Sequence, residues 1–318
     1  MRTLRFPVLT LLTVAACGGE PSLLEDETDS LQQALLCAGY TAPQSMGSIP
    51  TSFGLNEVSG LAASRNHPGV LWLHEDSGAG PVFWAINNTA EVLARVAVTG
   101  PGVSAADWED MALGPCTAGS ANDCIYIGDI GDNGMSRANY AVYRIPEPNV
   151  AAGDAYREFS VTATKFTYQY PGGTNYNSET LMVHPTTATP YIVEKHAPTT
   201  GPSRVFKFPM PLNSGSVATL MQIDSISFPE GSIKTTGGDI HPSGTRLLIR
   251  TYNRLWEYRL PSGAAFDSIF NDAPQLVPVA SEPQGEAVAY RLNGEGYFTQ
   301  SEQAGTPSVP PLWRTGCQ

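Results

Sequence analysis

The sequence predicts an all-β protein, a five-bladed β-propeller, and three observations carry that prediction. First, one short form recurs five times: a small or polar residue, an acidic residue or its neighbour, then an apolar strand. The copies are "NEVSGLAAS" (56–64), "DWEDMALGP" (107–115), "NSETLMVHP" (177–185), "GGDIHPSG" (237–244) and "QGEAVAY" (284–290). Anchored on Ser59, Glu109, Glu179, Asp239 and Glu286, they are spaced by 50, 70, 60 and 47 residues, which suits a four-stranded blade with its loops. Second, the last unit is one strand short at Gln318, while the unassigned stretch "SMGSIPTSF" (45–53) precedes the first unit. An N-terminal strand completing the last blade would close the ring. Third, 31 Gly, 26 Pro and only 15% charged residues favour short strands and tight turns over long helices. A six-bladed ring is the alternative, because the 70-residue step leaves room for further structure.

Within each unit the strands read in order. The second strands are "VLWLHEDSG", "CIYIGDIGDN", "PYIVEKH", "RLLIRTYN" and "GYFTQSE". The third are "VFWAIN", "YAVYRIP", "RVFKFP", "RLWEYRLP" and "PLWRTG". Fourth strands show in the first four units as "VLARVAVTG", "TATKFTYQY", "TLMQIDSISF" and "QLVPVAS". Trp72, Trp84, Trp256 and Trp313 fall in these strands and read as core between blades. Trp108, beside Glu109 but of opposite strand parity, reads as a wedge between blades.

Ahead of the repeats, Arg2 and Arg5 precede the short apolar run "FPVLTLLTVAA", an export signal too short to span a bilayer comfortably. "TVAAC" resembles the lipobox of bacterial lipoproteins, with Cys17 as the lipidated residue. The expected organisation is a signal peptide over 1–16, the lipidated Cys and an acidic tether over 17–40, and the propeller over 41–318. This places the protein on the periplasmic or outer side of a membrane, held by a lipid anchor alone. Of five Cys, four then remain for an oxidising compartment, with three possible pairings. Cys116 and Cys124 flank the short loop "TAGSAND" and are expected to pair, leaving Cys37 with Cys317 to staple the ends of the globular part.

The repeated acids raise a physical question. In a propeller the first strand of each blade lines the central channel, so Ser59, Glu109, Glu179, Asp239 and Glu286 would converge. Carboxylates packed in a narrow channel repel one another and are costly to keep ionised. A hard divalent cation relieves that cost, and Ca²⁺ accepts six to eight oxygens at about 2.3–2.6 Å. An axial Ca²⁺ site is therefore expected. The alternative is that these acids accept hydrogen bonds from neighbouring backbone N–H groups around a water-filled channel. Five scattered His and the Cys spacing do not suggest zinc. "GDIGDNG" (128–134) reads as a turn.

The ends of the second strands should lie on the same face as these residues. That brings His74, Glu75 and Asp76; Asp129 and Asp132; Glu194, Lys195 and His196; Arg250 and Tyr252; and Gln300 to the mouth. Lys195 and Arg250 suit a phosphate or carboxylate. Glu109 or Asp129 suits a general base, and His74 or His196 a proton donor to a leaving group. No nucleophile elbow, phosphate loop or dinucleotide fingerprint occurs.

At these residues the chain resembles the calcium-activated nucleotidases (apyrases), five-bladed propellers with an axial Ca²⁺. Their blade starts carry a Ser-Glu-Leu element, a Glu-Trp pair, and His-Glu-Ser, Ser-Asp-Phe and Tyr-Glu-Gly elements. "SGL" at 59–61, "WED" at 108–110, "SET" at 178–180, "GGD" at 237–239 and "GEA" at 285–287 fall in the same order. The resemblance implies that Ser59, Glu109, Glu179 and Glu286 are Ca²⁺ ligands, with Gly238 where the family has Ser and Asp239 compensating. Its Asp-Asp-Arg-Thr-Gly turn corresponds to "EDSGAG" here. Asp76 is retained as a ligand-binding residue, and the Arg is missing. Esterase-like and phytase-type propellers offer a looser likeness.

Charge narrows the function classes. A net charge of −12, from 18 Lys+Arg against 30 Asp+Glu, disfavours nucleic acid and anionic lipid and suits cations. Two readings follow for an expected monomer. One is a Ca²⁺-dependent hydrolase of phosphate esters or phosphoanhydrides. The other is a surface propeller that binds a ligand without turnover, its Ca²⁺ purely structural. A small anionic molecule or a surface ligand is the expected partner.

Overall fold

The computed structural model describes residues 37–318 apart from 77, 79, 196–200, 229–233 and 307. Cys17 and His196 lie outside the described residues. Five antiparallel sheets are arranged as the blades of a ring. The first blade comprises β2 (Val58–Ala63), β3 (Val70–Glu75), β4 (Val82–Asn87) and β5 (Val92–Thr99). The second is β6 (Trp108–Pro115), β7 (Asp123–Asp129), β8 (Tyr140–Pro146) and β10 (Thr164–Gln169). The third is β11 (Ser178–Val183), β12 (Pro190–Glu194), β13 (Ser203–Lys207) and β15 (Met221–Ile226). The fourth is β16 (Thr235–Ile240), β17 (Arg246–Thr251), β18 (Arg254–Arg259) and the short β19 (Gln275–Leu276). The fifth is β20 (Gln284–Tyr290), β21 (Gly296–Glu302), β22 (Pro311–Gly316) and, from the other end of the chain, β1 (Gln44–Ser48).

Ring closure follows from β1, which pairs with β22 through Gln44↔Arg314 and Ser45↔Trp313. The Cys37–Cys317 disulfide and the Tyr40↔Cys317 bridge fix that closure covalently and by backbone pairing. Cys116 and Cys124 form the second disulfide, across the loop between β6 and β7. The room in the 70-residue step is not a sixth blade. It holds β9 (Arg157–Thr162), which leaves its own blade and pairs in parallel with Ala94–Thr99 of β5. There it covers the outer edge of the first blade, where an unpaired strand would expose a row of backbone donors and acceptors. A two-residue strand, β14 (Ala218–Thr219), does the same for β10.

Five clusters of buried apolar side chains lie one at each blade boundary. The strands are buried on both faces because each blade is sandwiched between two others, hence near-continuous apolar runs rather than strict alternation. Trp72, Trp84 and Trp256 belong to these clusters, whereas Trp313 on the last blade is partly exposed. Trp108 is fully buried, lies against His74 of the first blade and Tyr143 of its own, and donates its indole N–H to Ser104 O at 2.9 Å. It is the expected wedge.

The acidic channel mouth as candidate functional site

Each innermost strand carries one β-bulge at the same level. The pairing skips Ser59 between Val58 and Gly60, Glu109 between Trp108 and Asp110, and Glu179 between Ser178 and Thr180. In the last two blades it skips Thr236 and Glu286. A bulge inserts an extra residue and re-aims its side chain out of the pleat. The ring of equivalent positions is therefore Ser59, Glu109, Glu179, Thr236 and Glu286. In the fourth blade Thr236, not Asp239, holds the bulge. The two hydroxyl residues behave alike: Ser59 Oγ donates to Glu109 O, and Thr236 Oγ1 to Gly285 O at 2.8 Å, each reaching the next blade.

The three Glu of this ring line one end of the channel, a cavity of about 360 Å³ shared with Glu57, Asp76, Asn133, Lys195, Tyr252, Gln284 and Glu302. All three are buried. Lys195 Nζ is paired with Glu179 and stands 5.0 Å from the centre of the Tyr252 ring. One oxygen of Glu286 accepts from Gln284 Nε2 at 3.0 Å, while Oε2 is buried with no hydrogen-bond partner.

Electrostatics follow from burial and crowding. Burial, then repulsion by Glu179 and Asp107, pushes the Glu109 carboxyl well above the usual range. Glu286 is pushed up likewise, by burial and then Glu179. Glu179 rises to about 7 through burial, against the pull of Lys195. Glu302 also rises to about 7, through burial and then Asp76 and Glu57. Burial works against the Lys195 ammonium, but Glu179 and Glu286 outweigh it and hold that group above its ordinary value.

The remaining acids of the channel do different work. Asp110 is wholly buried, and its carboxylate accepts Leu181 N at 2.9 Å, Gly238 N at 3.2 Å and Met111 N at 2.8 Å. Asp239, three residues beyond its bulge, accepts Tyr290 N and Ile240 N, both at 2.8 Å. These are inner-edge N–H groups that no further strand could satisfy. The hydrogen-bonding alternative thus describes Asp110 and Asp239, while Glu109, Glu179 and Glu286 face the mouth.

Other expected residues divide in the same way. Asp76 and Lys195 are at the mouth. Asp129 is buried, accepts Asp107 N at 3.1 Å, and pairs with Arg137 at 2.8 Å. Asp132 holds its loop through Ser136 N, Arg137 N and the Tyr140 hydroxyl, as a turn-forming residue does. Arg250 is not at the mouth. It is fully buried at the fourth and fifth blades' boundary, paired with Glu282 at 2.5 Å, and its Nε and Nη1 lack partners. Gln300 is buried too, donating to Pro310 O at 3.0 Å. His74 is buried beneath the mouth, and burial lowers its affinity for a proton. The residues that strand order did not single out are Glu57, Asn133, Gln284 and Glu302. Glu302 ends the quoted strand "GYFTQSE" and so sat at the right level in the sequence.

No protein-family model matches this chain, and no curated protein matches it in sequence. Among the described residues no helix is long and apolar enough to cross a membrane.

Proposed function

We propose that the acidic mouth is a divalent-cation site with Ca²⁺ as its ion, and that the protein is an exported lipoprotein with hydrolase-like action on a phosphate ester or phosphoanhydride. One observation supports the reading: three Glu from equivalent bulges and a single Lys line one half-open cavity where one carboxylate oxygen has no partner, although among the described residues no three acids already stand close enough together to share an ion. Ionised, the six carboxylates of the cavity and Lys195 carry a net charge of −5, an excess that a divalent ion reduces. The donor set is hard oxygen throughout, which suits calcium and not zinc. Glu109, Glu179 and Glu286 would hold the ion. Ser59 and Thr236, whose hydroxyl hydrogens are already committed to carbonyls, leave lone pairs free. Asp239 is engaged with backbone N–H groups and would contribute only charge.

A bound cation of this kind supplies polarisation of a phosphoryl oxygen. The chain's own groups supply the rest. Lys195 would orient an anion, and Glu302, with its proton affinity near neutrality, is a better acid–base group than the committed Asp129. Without the cation, the mouth repels anions, so substrate binding should require it. The likeness to the calcium-activated nucleotidases supports the ring and its ion more than their nucleotide substrate, since no Arg follows Asp76.

A second reading keeps the cation as purely structural and makes the propeller a binding module. It is favoured by Arg250, the expected anion partner, being sealed between blades. Thermal melting with Ca²⁺, with Mg²⁺ and with chelator tests the site, because a ligand of the folded state alone raises stability by mass action. A Ca²⁺-specific rise, lost in Glu286→Gln, supports it. No rise in a metal-free preparation overturns it. Turnover of phosphate esters that disappears in Glu109→Gln separates the hydrolase from the binding module.

A further inference from the structure

A second cavity lies at the opposite end of the strands, away from the acidic mouth. Its volume is about 740 Å³, and it sits where the Cys116–Cys124 loop, the turn between β11 and β12, and the chain after β13 meet. Ligand pockets for small molecules span about 300–1,000 Å³ and combine apolar walls with a few fixed polar groups. Here the wall is aromatic and thioether: Tyr191, Phe208 and Phe266, with Met210 and Met221 exposed at the edge. The Phe266 ring lies 4.7 Å from His184 and 5.2 Å from Tyr191, in edge-to-face arrangements that hold the wall rigid.

The charge of this cavity is the reverse of the protein's. The chain carries −12 overall, yet Arg144, Lys207 and His184 line the cavity and, among the described residues, no Asp or Glu does. Lys207 is already paired with Asp267. His184 Nδ1 accepts Thr186 N and Thr187 N, each at 3.2 Å, so its proton is on Nε2 and the ring is a neutral donor. Arg144 remains. One of its nitrogens donates to Cys116 O at 2.6 Å and the guanidinium lies over Phe166, but no carboxylate among the described residues pairs with it. A guanidinium without a counter-ion beside an apolar wall matches a ligand with an apolar body and one anionic end.

We propose that this cavity binds a small amphipathic carboxylate, its apolar body against Phe208 and Phe266 and its carboxylate toward Arg144. The site is independent of the cation at the mouth.

Isothermal titration of the full protein in chelator, with decanoate below its micelle concentration, tests this directly. Decyltrimethylammonium is the matched cation. Saturable binding of one decanoate is expected, at least tenfold tighter than the cation. Met221→Glu places a carboxylate in the cavity at an exposed position that tolerates charge, and should weaken decanoate at least tenfold. Met221→Lys should leave it unchanged or tighter. Absence of saturable decanoate binding overturns the proposal. So does equal affinity for the two detergents, or a Met221→Glu protein that binds as well as the parent. Because calcium is absent throughout, none of these results bears on the mouth.

Discussion

Glu109 and Asp110 are consecutive and both buried, yet their carboxylates do different work in the channel. The bulge at Glu109 turns its carboxylate to the mouth, while Asp110 points inward and accepts N–H groups from the third and fourth blades as well as its own. One carboxylate thereby ties three innermost strands together on the axis. Strand edges facing a narrow channel have no further strand to pair with, and buried unpaired N–H groups are costly. An acidic pair at one blade start therefore solves two problems.

Removing the tie should be expensive. Asp110→Ala strands the N–H groups of Leu181 and Gly238, each worth about 1–3 kcal/mol when buried and unsatisfied. A loss of about 2–5 kcal/mol of unfolding free energy, read from the shift of the denaturant midpoint, is expected, with Asp110→Asn, which keeps an acceptor, falling clearly less. A midpoint unchanged in Asp110→Ala would show that the axis is wet and the tie dispensable.

Acidity of the medium should move stability in an unusual direction. Glu109, Glu179, Glu286 and Glu302 have folded-state proton affinities raised above their unfolded values, to about 7 for Glu179 and Glu302. The folded state then binds more protons than the unfolded state from about pH 4.5 upward to those raised values. These four groups make stability fall as pH rises through that window, whereas His74, His184 and His241, their proton affinities lowered by burial, work the other way below about pH 6.5. In chelator the melting temperature should therefore be higher at about pH 6.5 than at pH 8, and Ca²⁺ should flatten the difference. Glu286→Gln should stabilise the cation-free protein at pH 8, since it deletes a buried repulsive charge.

Close packing at the bulges leaves no room for side chains. A Cβ on Gly237 would stand 2.3 Å from Glu286 O, a backbone atom that cannot swing aside. Gly237→Ala should cost about 1–3 kcal/mol, as overpacking does. It should also weaken the Ca²⁺ response, because the atom it displaces belongs to a residue of the ring. Retention of both would mean that the fourth and fifth blades slide freely.

The two disulfides should differ in worth. Cys116–Cys124 closes a loop of 8 residues, Cys37–Cys317 one of 280. Chain-entropy arguments give longer loops the larger effect, within about 2–5 kcal/mol. The strand that Cys37 introduces is mostly exposed and pairs along one edge only, with β22, so the disulfide is a large share of what holds it. Cys37→Ser should lower the melting temperature more than Cys124→Ser, and limited proteolysis should cut near β1 first.

Much of the ring was legible because the inner strands repeat a form, the last unit lacked a strand, and the cysteines fell at the ends. The register of the fourth blade was not. "GGD" offers an acid, and acid identity led to Asp239, whereas the bulge that sets the level falls on Thr236, a hydroxyl like Ser59. Which residue bulges depends on pairing with β17, not on composition. Arg250 was read as reaching the mouth from its place at the end of that strand. Its side chain instead enters the blade boundary, where Gly285 leaves space for the guanidinium. The β9 strand escaped because it joins a blade that ended many residues earlier.

Cys37 and Cys317 lie at the end of the strands opposite the acidic mouth, so the polypeptide joins the ring from that side. With the lipidation proposed for Cys17, the anchor would reach the ring at that end and leave the mouth unobstructed. A six-residue strand spans about 20 Å, and electrostatic screening at physiological salt acts over about 8 Å. The point of attachment would then lie farther from the mouth than the screening length, so charge placed at that end would leave calcium binding at the mouth unchanged.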